Sequence, residues 1–118
     1  MNGIPLTPAV LRAAYEYLSA TPPFRSWNLP AADDVAFRVV RDPHVFGHYK
    51  SRSGRHEIAL SRRSIGRTLG IMETMAHEMV HLHQELTGMA THNVVHNAAF
   101  KKLAAQVCRH HGFDPFAF

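Results

Sequence analysis

Residues 73–88 read Glu73-Thr74-Met75-Ala76-His77-Glu78-Met79-Val80-His81-Leu82-His83-Gln84-Glu85-Leu86-Thr87-Gly88, and they contain His77-Glu78-Met79-Val80-His81, an H-E-x-x-H. Two histidines four apart on an α-helix lie on one face about a turn apart, so both imidazoles reach a single ion while the intervening glutamate points beside it. Placing each residue about 100° on from the last, starting at Ile71, divides the segment cleanly. Ile71, Met72, Met75, Ala76, Met79, Val80, Leu82 and Leu86 fill one half of the circle, and Glu73, Thr74, His77, Glu78, His81, Gln84, Glu85 and Gly88 fill the other. The pattern is that of an amphipathic helix with both candidate ligands on its polar, cleft-lining side. His83 projects within the apolar half, roughly 140° from the direction of His77 and His81, and is not counted among the ligands.

Working outward, the chain has 118 residues and is 46% hydrophobic, enough for one domain that buries about two-thirds of its unfolded surface without a metal to nucleate it. The single cysteine, Cys108, excludes an internal disulfide and any cysteine-based zinc finger or ribbon, and it fits a reducing compartment. The start, Met-Asn-Gly-Ile-Pro-Leu-Thr-Pro, has no basic residue leading into an apolar run, and no apolar span of membrane-crossing length follows. The expectation is a cytoplasmic protein without a membrane. Net charge is +4, but it is local: Arg38, Arg41, Lys50, Arg52, Arg55, Arg62, Arg63 and Arg67 stand against Asp42 and Glu57 alone, giving that segment +6.

On the N-terminal side, Thr7-Pro8 followed by Ala9 to Ala20 carries a cap, a proline at the first helical position and Leu11, Tyr15 and Leu18 at helical spacing. Thr21-Pro22-Pro23 ends that helix, and Phe24 to Asp34, with Trp27 as a core or lid residue, reads as an irregular connection. Val35–Val40, His44–Tyr49 and Arg55–Leu60 are short β-prone runs, joined at Arg41-Asp42-Pro43 and at Ser51 to Gly54, and they predict a three-stranded antiparallel meander. Gly47 marks a bulge in the middle run, and His44, His48 and His56 are solvated strand residues. Ser61 to Gly70 leads into the H-E-x-x-H helix, which stops at Gly88. A third helix runs from a cap at Asn93 to about His111, with Gly112 as its stop and the apolar tail from Phe113 to Phe118 packing back.

A catalytic zinc takes three protein ligands and leaves one position open. His96 leads the stripe His96, Phe100, Leu103, Val107 at i, i+4, i+7, i+11, so the inward face of the third helix carries its imidazole toward the preceding one. His92, a turn earlier and before the cap, is the rival third ligand.

The strand ending Ile58-Ala59-Leu60-Ser61, the motif Glu73 to His81, and His96-Asn97-Ala98-Ala99-Phe100 after a loop together resemble the SprT-like metallopeptidase domain, the family that includes Spartan. The resemblance covers roughly Val35 to Cys108, and its more specific part is the later histidine followed four residues on by an aromatic. It implies a small zincin core, peptidase activity and, as in the best-known members, cleavage of proteins attached to DNA. It also implies His77, His81 and His96 as ligands of one Zn²⁺ per chain and Glu78 as general base. Asn97 stands where the family usually has glycine, and the chain ends before any C-terminal zinc ribbon. The expected fold is therefore α+β: a minimal zincin-like domain over residues 1–118, core about 35–111, with an N-terminal helix, a three-stranded antiparallel sheet, the H-E-x-x-H helix and a C-terminal helix.

In the enzyme reading Glu78 takes the proton of an activated water and hands it to the leaving amine, with Tyr49 or His48 as the candidate oxyanion donor. Asn93, Asn97 or Glu73 would orient the ligand imidazoles, and an extended substrate would add to the edge of Arg55–Leu60. Two other readings exist: a non-catalytic zinc-containing binding module, and a nucleic-acid-binding protein that uses its basic hairpin. Arg52, Arg55, Arg62 and Arg63 are the residues expected to meet DNA phosphates. Glu78 argues against the binding module, since holding a metal does not require it.

Overall fold

Thr7 sits in extended backbone ahead of Pro8 and its Oγ1 accepts a hydrogen bond from the Val10 amide at 3.2 Å, so helix α1 (Pro8–Ser19) starts where cap and proline coincide. The computed structural model describes residues 6–62, 68–91, 93–115 and 118. Leu11, Ala14, Tyr15 and Leu18 form the buried face of α1. The connection that follows is irregular as expected, with short 3₁₀ turns at Phe24–Ser26 and Ala32–Asp34. It is fastened by the Tyr15 hydroxyl donating to the Pro30 carbonyl at 2.6 Å. Half-buried Trp27 meets Phe24 edge-on at 4.9 Å and stacks on His83 at 4.2 Å. That stacking accounts for the apolar direction of His83.

Three strands follow: β1 (Val35–Val40), β2 (Gly47–Arg52) and β3 (Arg55–Ser61). They do not form an antiparallel meander. The sheet is mixed, in the order β1-β3-β2, with β1 parallel to β3 and β2 antiparallel to it. Two features produce this order. The first is composition: Ile58-Ala59-Leu60 is buried throughout, whereas β2 is Gly-His-Tyr-Lys-Ser-Arg with no fully buried residue, so the apolar strand takes the centre and the polar one an edge. The second is the connection at residues 41–46, which crosses the end of β3. There the Ser61 amide donates to the Phe46 carbonyl at 2.6 Å and the Ser61 hydroxyl to the Asp42 carbonyl at 2.8 Å, which satisfies a polar side chain only 1% exposed. At the other end a two-residue turn with positive φ at Ser53 and Gly54 closes the β2-β3 hairpin and pairs Arg52 with Arg55. The edge strand β2 lies three residues later than the run His44–Tyr49 that the apolar pattern predicts.

Register sets the two faces of the sheet. Phe37, Ile58 and Tyr49 lie abreast, as do Val39, Leu60 and Gly47, and Tyr15 packs on Phe37 at 5.4 Å, so these rows face the helices. On the other face Glu57 accepts from Arg38 at 3.3 Å and pairs with His48 at 2.9 Å.

Helix α2 (Thr68–Thr87) starts three residues before Ile71 and ends, as its sequence requires, at Gly88 with φ +73°. Ile71, Met75, Ala76, Met79, Val80 and Leu82 are buried among α1, β2, β3 and the last helix, while Leu86 in the final turn is exposed. Burying side chains of this size contributes about 1.5–3 kcal/mol each.

Helix α3 (Ala98–His111) begins later than the predicted cap at Asn93. Its cap is Asn97, whose Oδ1 accepts from the Phe100 amide at 2.9 Å, because the preceding residues are held in a turn by Thr91 Oγ1 donating to the Val94 carbonyl at 2.6 Å. Gly112, at φ +75°, ends the helix. Phe113 is buried and stacks on Phe118 at 6.0 Å, so the described part of the tail packs back. Among the described residues no helix is long and apolar enough to cross a membrane.

Candidate metal centre

The i, i+4 spacing on α2 brings His77 and His81 side by side, with Nε2 atoms 3.3 Å apart. His96 joins them from the residue before the α3 cap, its Nε2 3.2 Å from that of His77. Its imidazole therefore arrives on a turn rather than on a helical face. Among the described residues this is the one group of three side chains able to hold a metal ion, with all ligand atoms within 4.8 Å of one another. An ion about 2.0–2.1 Å from each nitrogen in tetrahedral geometry sets neighbouring nitrogens roughly 3.3–3.4 Å apart, and both distances between Nε2 atoms match that spacing.

The chemistry of the donors fits as well as their spacing. Burial, then the neighbouring charge of His96, holds His77 down to about 4; burial, then His77 and His96, holds His81 to about 4. Both are neutral near pH 7, with lone pairs free for a cation. The Nδ1 of His77 lies 2.9 Å from the Phe118 carbonyl, an acceptor only, so the proton sits on Nδ1 and Nε2 is left bare toward the cluster. Phe100 lies beneath all three rings, at 4.9, 4.6 and 4.5 Å from His77, His81 and His96. This gives a physical reason for an aromatic four residues after the third histidine: it forms an apolar floor that holds the imidazoles upright.

Glu78 is 5% exposed, and burial lifts its carboxyl to about 8. It faces the start of β2. A Cβ built on Gly47 would lie 2.7 Å from the Ala59 carbonyl oxygen, 3.0 Å from Thr74 Cγ2 and 3.3 Å from Glu78 Oε2. Gly47 is therefore no bulge; it is the residue that lets the edge strand approach α2 against the carboxylate. A cleft of about 500 Å³ opens at the histidines and Glu78, lined also by β2, Tyr49 among its residues, and by the loop after α2, Val95 among its residues.

The remaining expected residues disperse. His48 turns to Glu57 on the far face of the sheet, and His56 Nδ1 lies 2.8 Å from the Tyr49 hydroxyl, so of the two oxyanion candidates the phenol is the one whose side chain shares the cleft-side row. His83 is committed to Trp27. His92, Arg63 and Arg67 lie outside the described residues. Arg52 and Arg55 are exposed at the β2-β3 turn, whereas Arg62 is exposed past the far end of β3. Neither Asn93 nor Glu73 has a described hydrogen bond to a ligand imidazole. Sequence reading missed two participants. The Phe118 carbonyl is a backbone group with no residue-type signal. Gln84 did leave one: three residues after His81 and seven after His77, it lies on the ligand face, and it is 1% exposed.

Compared with known proteins, residues 24–115 match the model of the SprT-like family. No curated protein matches the chain.

Proposed function

The chain belongs to the SprT-like family, and from that premise we propose that it is a zinc-dependent metallopeptidase in which His77, His81 and His96 hold one Zn²⁺ and Glu78 is the general base. The observation that carries this reading is the convergence of three imidazole Nε2 atoms beside a buried carboxylate in one open cleft. Zinc bound there would supply a Lewis acid that acidifies a water and polarises the scissile carbonyl. The rest falls to the chain. Glu78, whose carboxyl burial alone lifts to about 8, would be held ionised by the adjacent cation, and in that form it takes the water's proton as oxygen attacks the peptide carbon and returns it to the departing amine. Tyr49, with its hydroxyl held against His56, is the candidate donor to the carbonyl oxygen. Because β3 is central, an extended peptide has no free edge there; β2 is the edge strand that borders the cleft, and it replaces Arg55–Leu60 as the strand for substrate addition.

The DNA part of the reading rests on charge. Arg52 and Arg55 at the hairpin adjoin the cleft-bordering strand and suit phosphate contact, which would bring DNA-attached proteins to β2.

The test is Glu78→Gln, which keeps shape and ligands while removing the proton acceptor. Zinc content is expected to stay at the parent's level, and hydrolysis of an unfolded protein substrate to fall by about 10²–10⁴-fold. Equal turnover by the two proteins would remove Glu78 from the mechanism. Zinc binding without turnover in either would leave a non-catalytic zinc module.

A further inference from the structure

Two of the three imidazoles are fixed relative to each other by α2 itself. The third is not: His96 is exposed and sits on a turn outside any helix. Something must hold that turn against α2, and the side chains that do so are two amides. Gln84 Nε2 donates to Asn97 Oδ1 at 2.9 Å and reaches the Met89 carbonyl at 3.5 Å. Asn97 Oδ1 also accepts from the Phe100 amide at 2.9 Å, and its Nδ2 donates to the Met89 carbonyl and to Thr91 Oγ1, both at 3.1 Å. One asparagine thus ties together the ligand helix, the loop after it and the start of α3, and it is covalently next to His96.

A glutamine buried to 1% exposure in the last turn of α2 is costly unless its amide is bonded, and an apolar residue of similar volume would fill the space without that demand. We infer that Gln84 and Asn97 are positioning residues for the metal: together they form a tether that sets His96 Nε2 at ligand distance from the His77 and His81 pair. This rests on the metal-site reading above. It also gives Asn97 a role at the position where the resemblance leads one to expect glycine, since glycine lacks the amide that makes these four contacts.

The experiment uses the whole chain and two variants chosen to keep the fold. Asn97→Asp retains an oxygen that caps α3 and accepts from Gln84, but it turns the two donor bonds to the loop into a carboxylate facing the Met89 carbonyl. Gln84→Met keeps shape and helix preference and removes the donor. Zinc affinity is measured by competition with a chelator, and the coordination sphere is read from the visible ligand-field bands of the cobalt-loaded protein. Both variants are expected to bind zinc about 10-fold or more weakly than the parent, with cobalt bands shifted toward those of His96→Ala. Leu18→Ala, which opens the core at α1 away from the site, is expected to lower stability and leave the cobalt bands unchanged. Zinc affinity within twofold of the parent in both variants, or weakened affinity with the parent's cobalt bands, overturns the tether while leaving the three-histidine site standing. Failure of the parent itself to bind zinc or cobalt overturns the site and the tether together.

Discussion

Gly47 shows what a single residue can decide in this site. Sequence marks it only as a glycine in a β-prone run, which suggests a bulge; three-dimensional contacts give it another purpose, since its missing side chain is the space in which β2 meets Thr74 and Glu78. Gly47→Ala would press a methyl against the Ala59 carbonyl at 2.7 Å, a backbone atom of the neighbouring strand that cannot step aside alone. The expected outcome is a loss of about 1–3 kcal/mol in denaturant unfolding, together with reduced hydrolysis as the strand backs away from Glu78. Unchanged stability would mean that the strand does not lie where the structure has it. By contrast His77, Glu78 and His81 are legible from the sequence, because a helix converts spacing directly into direction. His96 is legible as to identity but not as to placement: its stripe suggests a helical face, whereas the cap at Asn97 leaves it on a turn, and only tertiary hydrogen bonds decide between those two starts.

Helix ends are legible where a proline or a glycine marks them, whereas an asparagine cap is not, since Asn93 is passed over for Asn97. Thr7-Pro8, Gly88 and Gly112 each mark a helix boundary by a local rule, and each boundary is where that rule puts it. Sheet order has no such local signature. Adjacent strands in sequence usually pair, and that tendency favours a meander; the continuous run Ile58-Ala59-Leu60 is the competing signal, since three successive apolar residues are buried on both faces of the sheet, as in a central strand. The order β1-β3-β2 has a measurable consequence. Backbone amides along β3 are bonded alternately to both neighbours, whereas β2 has a free edge. Hydrogen exchange followed by NMR is expected to show slow exchange at successive residues from Glu57 to Leu60 and alternating protection along His48 to Ser51. Uniform protection of β2 with alternation in β3 would restore the meander.

At the scale of the molecule, one apolar core built from α1, the central strand, the inner face of α2 and part of α3 reaches the histidine cluster through Phe100, and Arg52, Arg55 and Arg62 of the basic segment lie at opposite ends of the sheet. The sequence shows that charge but not its division, because Arg52 and Arg55 belong to the hairpin turn and Arg62 follows the opposite end of β3, roughly 20 Å away at the rise of an extended strand. If the hairpin meets phosphate, DNA affinity measured by fluorescence anisotropy is expected to be independent of base sequence and to fall steeply with salt. Reversing Arg52 and Arg55 together should then flatten the slope by about two phosphates' worth, and reversing Arg62 alone by no more than one. A salt-independent response would remove DNA from the proposed function. The claim at the centre of the account is that three imidazoles assembled from α2 and the turn before α3 hold a single ion on which peptide hydrolysis depends. It is tested most directly by titrating zinc into chelator-stripped protein while following hydrolysis of an unfolded protein substrate. Turnover is expected to rise from zero and to level off at one zinc per chain; hydrolysis that persists in the stripped protein, or none at any zinc concentration, would contradict it.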